Sequence, residues 1–389
     1  MRVCMIRAMH TDPIVRFRRA LHADPELSGA EHRTHDAIRA ELEHAAPAGR
    51  VFEHLGGTGL AAVFGPESAR RTVVFRVDTD ALPIVERSGA AHASRNPDVM
   101  HVCGHDGHTA IGVAVAAGLA ADPPADIRVA IVFQPAEETG EGAAAVLADP
   151  RWRSIVPEPA AAMGFALHNM PGEPLGRVLV REGVFACASV GVRVAMRGRS
   201  AHASKPHDPG CAMAALGRLV ERSPRLPEGL GLPRALCTPV HAAAGDAGGF
   251  GISPAEAQFA CTLRAESDAD LDRLRAALHG LIEDAAEGLA VELSEHEAFA
   301  ATVNDPAAVA IVRAAATEAG LDVTEPSAAY RWSEDFGRFG SEFPCVLFTI
   351  GAGMDVPALH DDRYDFPDAL IGPATEVVVQ ILRRAATGD

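Results

Sequence analysis

The sequence predicts an α/β protein with a mainly parallel sheet and a smaller α+β module inserted between two parts of the main domain. In the outer thirds, short apolar runs alternate with helical patterns, and clusters of polar residues follow several of these runs directly. The middle third changes to a two-residue period. Because 389 residues exceed one ordinary core, two domains are expected, with the main domain at 1–186 and 298–389 and the insertion at 187–297.

The main domain is predicted from its apolar runs. A helix is expected to begin near Asp12, and the small-residue run TAIGVAVAAGLA (109–120) is expected to form a second helix that packs closely on a sheet. In open α/β sheets, ligands bind beyond the carboxyl ends of the strands, so the polar clusters after these runs are expected to meet there. Four runs are typical of buried strands: RTVVFRVD (71–78), IRVAIVF (127–133), PAAAMGFAL (159–167) and CVLFTIG (345–351).

The inserted module is predicted from a different texture. In SVGVRVAMRG (189–198) and AEAQFACTLR (255–264), apolar residues alternate with polar or small ones, as in strands with one face in solvent. The segment ADLDRLRAALHGLIED (269–284) places leucines at helical spacing. Two-period strands together with an amphipathic helix indicate a compact α+β unit.

Charge and cysteine usage exclude several classes of function. The net charge of −17 argues against nucleic acid, because a polyanion would be repelled. We expect no membrane span, since no window approaches roughly eighteen unbroken apolar residues. MRVCMIRAMH lacks the apolar run of a signal peptide. The seven scattered cysteines are typical of reduced thiols in a cytoplasm, and six of them are expected to be buried small hydrophobes.

The remaining cysteine lies in HVCGHDGH (101–108), which indicates metal binding. An extended backbone would turn His101, Cys103 and His105 to one side, and thiolate and imidazole both bind divalent transition metals. The alternative is a polar loop whose histidines only form hydrogen bonds. A zinc finger is disfavoured, because no second cysteine pair has suitable spacing.

Further candidate ligands follow other strands. Glu137 and Glu138 are adjacent in QPAEETGEG, and beside a cation one could bind the metal while the other serves as a general base. Without a cation, both would point into solvent. His168 and His360 could each be ordinary core histidines. The combined set is nevertheless large enough for two metals that share a water: Cys103, His105, Glu138, His168 and His360.

Two other polar segments lie at predicted strand ends. Asp78 and Asp80 in RVDTDALP could be ordinary turn residues, or they could fix the tautomer of a metal-bound histidine. His202 in GRSAHASKPHD could be a turn residue, or it could contribute a hydrogen-bond donor to a site under the inserted module.

Together these segments resemble the bacterial and plant metal-dependent amidohydrolases that include hippurate hydrolase, N-acyl-L-amino-acid amidohydrolase and indoleacetyl-amino-acid hydrolase. This group belongs to the aminoacylase and glutamate carboxypeptidase superfamily. The resemblance covers nearly the whole chain, and its motifs occur in family order. They are RRALHADPELSGAE, FRVDTDALPIVE, HVCGHDGHTA, FQPAEETGEGA, ALHNMPG, GRSAHASKPHDPG, WSEDF and ALHDDRYDF.

The resemblance implies a two-metal α/β hydrolase domain with an inserted lid that also mediates dimerisation. Glu137 would be the general base, Asp80 would orient a ligand, and His202 would stabilise the carbonyl oxyanion, with the partner subunit's site as its target. The implied ions are zinc or manganese, with cobalt or nickel also allowed. The implied metal ligands are Cys103, His105, Glu138, His168 and His360.

The implied reaction is hydrolysis of the amide bond of a small-molecule N-acyl amino acid. One departure concerns the substrate: where the family has an asparagine, FGISP has Gly251, although Arg264 remains as a substrate-binding candidate. A dipeptidase or carboxypeptidase on the same scaffold and a non-catalytic metal-binding relative are the alternatives. The expected localisation is cytoplasmic.

Overall fold

The computed structural model describes residues 11–205 and 210–387. The amino-terminal segment with Cys4, and part of the GRSAHASKPHDPG motif, lie outside these residues. The strands are β1 Arg50–Leu55, β2 Gly59–Phe64, β3 Thr72–Asp78, β4 Arg128–Gln134, β5 Ala162–Pro171, β6 Val178–Leu179, β7 Gly183–Ala186, β8 Ala188–Arg197, β9 Ala201–His202, β10 Leu236–Ala244, β11 Ile252–Ser253, β12 Glu256–Ala265, β13 Ala290–Phe299, β14 Thr302–Asn304, β15 Val323–Thr324 and β16 Cys345–Gly353.

The described α-helices are between 4 and 18 residues long. Among the described helices, none has the length and apolar character needed to cross a membrane. The helices are α1 Thr11–His22, α2 His32–Ala45, α3 His105–Ala121, α4 Gly142–Ala148, α5 Trp152–Ile155, α6 Ala212–Arg222, α7 Leu226–Gly229, α8 Asp268–Ala285, α9 Pro306–Glu318 and α10 Ile371–Thr387.

The chain divides into two compact units. The first takes the described residues of Met1–Phe185, Thr302–Ala328 and Asp335–Asp389, and the second takes those of Ala186–Ala301 and Ala329–Glu334.

The first unit contains an eight-stranded sheet in the order β1-β2-β4-β3-β5-β16-β6-β15. Its centre is parallel: β3 pairs in parallel with β4 and β5, and β5 pairs in parallel with β16. These four strands are the four predicted apolar runs, and β3 and β4 are buried along their whole length. The predicted α/β class is therefore confirmed, since continuous apolar runs form strands covered on both faces.

The parallel centre determines where the polar clusters lie. β3 ends at Asp78 and β4 ends at Gln134, so the DTD and PAEE segments leave the same edge of the sheet. His168 lies in the last third of β5, the strand on the other side of β3. Helix α3 contacts β3 and β4, and its small residues allow this close approach. The segments that carry the candidate ligands therefore lie side by side, because they follow strands that are adjacent in the sheet.

The second unit has its own antiparallel sheet in the order β10-β12-β8-β13. The alternation predicted for β8 and β12 is present: the apolar set of each strand is buried against α6 and α8. Helix α8 begins after Ser267, whose side chain accepts a hydrogen bond from the backbone N–H of Asp270. Its buried positions include Leu274 and Leu278.

The limits of this unit differ from the predicted insertion at 187–297. The carboxyl-terminal limit falls inside β13, which continues past a bulge to pair Phe299 with Ser189. Most of β13 is exposed on both faces, and its sequence shows no apolar alternation beyond Leu293. The unit also includes 329–334, because Cys187 N donates to the carbonyl oxygens of Tyr330 and Trp332.

Candidate metal centre

The HVCGHDGH loop leads directly into α3. Gly104 has a φ of 88° and precedes His105, the first residue of the helix. The extended backbone predicted across His101, Cys103 and His105 therefore ends at Gly104, and that part of the prediction is wrong. A Cβ on Gly104 would lie 2.5 Å from Asn169 Nδ2, so the loop requires glycine for both conformation and space.

The five predicted ligand side chains lie close together. Cys103 Sγ is 3.3 Å from His168 Nε2, and the ligand atoms of Cys103, His105 and His168 all lie within 4.8 Å of one another. The ligand atoms of Cys103, Glu138 and His360 form a second group within the same limit. The two groups share the thiol, so residues from four separate segments converge on Cys103.

The two buried histidines have the tautomer that metal ligation needs. His105 Nδ1 faces the carbonyl oxygen of Asp80 at 3.0 Å, and His168 Nδ1 faces that of Asn169 at 2.8 Å. Because a carbonyl oxygen only accepts, each Nδ1 must carry a proton, which leaves Nε2 as the only ring nitrogen that can offer a lone pair to a metal. His105 Nε2 is buried without a hydrogen-bond partner, and so is Glu138 Oε1. Such orphaned buried atoms fit a site for a cation.

Asp80 connects two of the segments that carry ligands. Its Oδ1 lies 3.2 Å from His105 Nδ1, and its Oδ2 accepts hydrogen bonds from Glu138 N at 2.9 Å and Ser28 Oγ at 2.7 Å. Burial alone would raise the pKa of Asp80, but the hydrogen bond and charge of His105, assisted by Ser28 and Glu138 N, lower it. The carboxylate is therefore ionised and fixes the orientation of the His105 ring.

The two adjacent glutamates have different surroundings. Glu138 Oε1 lies 3.9 Å from His105 Nε2 and 3.7 Å from His360 Nε2. Burial raises the pKa of Glu138 to about 7, against the attraction of His105. Glu137 Oε2 lies 4.0 Å from His105 Nε2, while its Oε1 accepts a hydrogen bond from Asp335 N at 3.3 Å. Glu138 thus lies among the ligands, and Glu137 lies beside them.

His360 reaches the cluster from the loop after β16. Its backbone is left-handed, with φ 66°, and its N–H donates to the carbonyl oxygen of Val102 at 3.0 Å. This bond ties the His360 loop to the Cys103 loop. The imidazole is the most exposed of the set, with 53% of the side chain accessible.

His108 is close to the cluster but has no lone pair to offer. Its Nδ1 lies 2.6 Å from Asp78 Oδ1, and its Nε2 accepts from Asn169 N at 3.1 Å. Asn169 Nδ2 donates to the carbonyl oxygen of Cys103 at 2.7 Å, and Tyr364 OH bonds Asn169 Oδ1. Sequence reasoning missed the roles of His108, Asn169 and Tyr364, although all three lie inside the quoted motifs.

A second group of residues that sequence reasoning missed fixes the segment that carries Glu137 and Glu138. Asp335 Oδ1 lies 2.7 Å from an Arg76 nitrogen, and its Oδ2 accepts from Ala143 N at 2.8 Å and from Gln134 Nε2 at 2.9 Å. Arg76 also binds Asp78 Oδ2 at 2.7 Å. The only signal in the sequence was the WSEDF motif, which does not indicate a partner for Asp335. In the structure, Asp335 anchors the two ends of the PAEE segment through Gln134 and Ala143.

Two predicted residues belong to the second unit. His202 is exposed in β9, and its Nδ1 accepts a hydrogen bond from Ser204 N at 3.1 Å. Arg264 donates to the carbonyl oxygen of Arg331 at 3.1 Å and to Ser333 Oγ at 2.9 Å. Their proposed contacts with substrate stay predictions. The space around Gly251 is open, since a Cβ there would meet no atom within 4 Å.

These features define an α/β domain with a largely buried cluster of thiol, imidazole and carboxyl groups at the carboxyl edge of its parallel strands. Residues 74–384 match the family described as peptidase family M20/M25/M40, which spans most of the chain. The chain belongs to this family. The resemblance predicted from the sequence and the enzyme class, a metal-dependent amidohydrolase, are thereby confirmed.

Curated relatives match over nearly the full length. An N-acetyldiaminopimelate deacetylase of Exiguobacterium sibiricum is 28% identical over 368 residues, covering 91% of this chain and 95% of the relative. A probable hydrolase of Synechocystis sp. is 28% identical over 378 residues, covering 92% of each.

Solved structures share the fold. A dinuclear metal-binding peptidase of the M20 family from Bacillus subtilis has a TM-score of 0.78 at 24% identity, covering 97% of this chain and 98% of the other. An aminobenzoyl-glutamate utilization protein from Klebsiella pneumoniae has a TM-score of 0.72 at 20% identity, covering 100% and 98%.

Proposed function

We propose that the protein hydrolyses the amide bond of an N-acyl amino acid, releasing a carboxylic acid and a free amino acid. The observation that carries this proposal is the convergence of four further potential ligands on the thiol of Cys103, with Glu137 beside them. The relatives named N-acetyldiaminopimelate deacetylase support an N-acyl amino acid as the substrate class. A dipeptide remains the alternative substrate on the same scaffold.

We propose that two divalent ions occupy the cluster. The two ligand groups that share Cys103 support a pair of ions, as does the dinuclear metal-binding relative from Bacillus subtilis. The thiolate favours zinc as a borderline-soft ion, and manganese, cobalt and nickel are the alternatives. When bound, such ions polarise a carbonyl and lower the pKa of water. The proposed ligands are Cys103, His105, Glu138, His168 and His360.

The protein's own residues then have distinct tasks. Glu137 takes a proton from the attacking water and delivers it to the departing amine. Asp80 holds the His105 ring in its ligating tautomer. In His202, Ser204 N–H donates to Nδ1, so Nε2 carries the proton and is a donor suited to the carbonyl oxyanion. Arg264 is the proposed contact for the substrate.

Glu137→Gln tests the general base. We expect the variant to keep its metal content and to lose activity by about 10²–10⁴-fold, because the amide cannot accept the proton of water. The matched control is Glu141→Gln, an exposed position in the same segment that should behave as the wild type. Metal analysis and single-turnover kinetics provide the measurements. Activity above a few per cent of the wild type would reject the role of Glu137.

A substrate panel separates the alternatives. N-acyl amino acids should be hydrolysed with a higher kcat/KM than dipeptides, whereas the opposite order would indicate a dipeptidase or carboxypeptidase. Metal binding without hydrolysis of any amide in the panel would identify a non-catalytic relative. Elemental analysis of the purified protein reports which ion it binds.

We also propose a homodimer formed through the second unit, and a cytoplasmic location. No disulfide bond joins the six described cysteines, which supports a reducing compartment. A monomeric mass in solution would remove the proposed role of His202 in the partner's site. Large apolar side chains exposed on the second unit support the dimer: Met213, Val240, Phe250, Ile252, Val291 and Leu293.

A further inference from the structure

The turn that carries Glu137 has an unusual backbone. Ala136, the residue directly before Glu137, has a φ of 51°. A residue with a Cβ rarely adopts this left-handed backbone conformation. The conformation persists only where surrounding contacts impose it. Reverting Ala136 to a negative φ would redirect the chain at the next residue. The orientation of the Glu137 carboxylate therefore depends on whatever holds Ala136.

A buried glutamate from a distant segment holds it. Ala136 N donates to Glu31 Oε1 at 2.8 Å, and Thr58 Oγ1 donates to Glu31 Oε2 at 2.6 Å. Glu31 precedes α2 and is only 1% exposed. Burial raises the pKa of Glu31, and the bond from Thr58 opposes this shift. Both carboxylate oxygens are thus occupied, one by the turn and one by a fixed hydroxyl.

The other side of Glu137 is held in the same manner. Glu138 N donates to Asp80 Oδ2 at 2.9 Å, so the residues before and after the base each donate a backbone N–H to a buried carboxylate. Gly142 N closes the turn on the carbonyl oxygen of Ala136 at 3.0 Å. Asp80 also contacts His105, so it belongs to the ligand cluster, whereas the carboxylate of Glu31 accepts its hydrogen bonds from the turn and from Thr58.

We propose that Glu31 is a positioning residue for the general base: by accepting the N–H of Ala136 it maintains the left-handed turn that directs the Glu137 carboxylate at the cluster. This inference rests on the proposed function, because it takes Glu137 as the base. The side chain of Glu31 accepts hydrogen bonds from Ala136 N and Thr58 Oγ1, neither of which belongs to a proposed metal ligand, so its loss should change proton transfer without changing the ligand set.

Glu31→Ala is the first test. We expect kcat to fall by about 10²-fold with KM and metal content unchanged, because a misplaced catalytic group costs rate rather than affinity. The matched control is Glu26→Ala, which removes another buried carboxylate, one that accepts from Thr34 N at 2.8 Å instead of from the turn. The control should lose stability without a specific loss of kcat.

Ala136→Gly provides the rescue that distinguishes positioning from general stability. Glycine adopts a positive φ without strain, so the turn should persist without Glu31. We expect kcat of Glu31→Ala/Ala136→Gly to recover at least tenfold over Glu31→Ala. If Glu31→Ala does not fold, Thr58→Val removes only the supporting hydroxyl. Its kcat should then fall by about fivefold, as expected for one hydrogen bond, and Ala136→Gly should restore it.

Each outcome is decisive. A crystal structure of metal-free Glu31→Ala should show a negative φ at Ala136, with an unchanged Asp80–Glu138 bond. Wild-type kcat in the Glu31 or Thr58 variant, or a loss that glycine fails to rescue, would overturn the proposal. If the wild-type enzyme hydrolyses no amide, the proposed function fails instead, and the crystallographic φ still tests whether Glu31 maintains the turn.

Discussion

At the scale of single residues, the partner of each ring nitrogen decides what a histidine can do. His105 and His108 are three positions apart on the same helix, and both are fully buried. His105 directs Nδ1 to Asp80 and leaves Nε2 without a hydrogen bond, whereas both nitrogens of His108 are engaged by Asp78 and Asn169. The same residue type therefore gives one proposed ligand and one structural connector.

The Gly104 position gives a prediction at this scale. Gly104→Ala should destabilise the loop, because a Cβ at φ 88° is strained and would also lie 2.5 Å from Asn169 Nδ2. We expect a lower Tm and a reduced metal stoichiometry, measured by thermal unfolding and metal analysis. The control is Gly118→Ala in α3, the helix that follows Gly104, where a Cβ meets nothing within 4 Å and should be neutral or stabilising. Full metal binding by Gly104→Ala would contradict the requirement.

The sequence predicted the members of the side-chain cluster better than the residues that support them. The proposed ligands Cys103, His168 and His360 could be predicted to lie near one another because each belongs to a short motif of the resemblance. Glu31 and Asp335 could not, because the backbone groups that they accept lie 105 and 192 residues away in the sequence. A buried carboxylate is recognised by its partners, and partners at such separation are determined by the sheet order.

At the scale of elements, a buried ionic network joins α1 to α3. Arg18 Nη1 lies 3.1 Å from Asp106 Oδ2 and 2.7 Å from Asp365 Oδ1. His22 Nδ1 lies 2.9 Å from Asp106 Oδ2, and its Nε2 lies 3.3 Å from Glu86 Oε1. Since both ring nitrogens face carboxylates, both donate, and His22 is an imidazolium in the folded protein. The sequence predicted a helix that begins near Asp12 but not these buried charges.

This network predicts a pH dependence of stability. Burial would lower the pKa of His22, but Asp106, with help from Glu86, raises it to about 10. Between pH 6.5 and 10 the folded state binds a proton that the unfolded state lacks, so stability falls as pH rises. The slope is about 1 kcal/mol per pH unit. Unfolding of metal-loaded protein should show this slope, and His22→Gln should reduce it.

The acidic limit of the same network has the opposite sign. Burial would raise the pKa of Glu86, but the bonds from His22, Ser88 and Ser94 N lower it to about 2. Its contribution is present above the unfolded pKa of about 4.3 and is lost as pH falls toward 2. His32→Gln, at an exposed position of α2, is the control for His22→Gln and should keep the wild-type slope. Equal slopes in both variants would exclude His22 as the source.

At the scale of the whole molecule, the unit that carries the proposed metal site and the inserted unit each have their own hydrophobic core. All five proposed ligands and Glu137 belong to the first unit, while the second unit buries its own apolar cluster between its sheet and two helices. The change of hydrophobic period predicted this insertion. It did not predict the return of 329–334 to the second unit, because that segment joins through backbone bonds to Cys187 and carries no periodic pattern.

Separate cores predict that the second unit can be weakened without emptying the metal site. Leu278 is fully buried in α8, so Leu278→Ala should lower the free energy of unfolding by about 2–5 kcal/mol through lost burial and a cavity. The metal stoichiometry below the transition should stay at the wild-type value, since none of the five proposed ligands lies in that unit. Leu175→Ala, at a half-exposed position, should change stability by no more than about 0.5 kcal/mol. Loss of metal from the folded Leu278→Ala variant would show that the proposed ligand cluster depends on the second core, and the separation of the two cores would have to be abandoned.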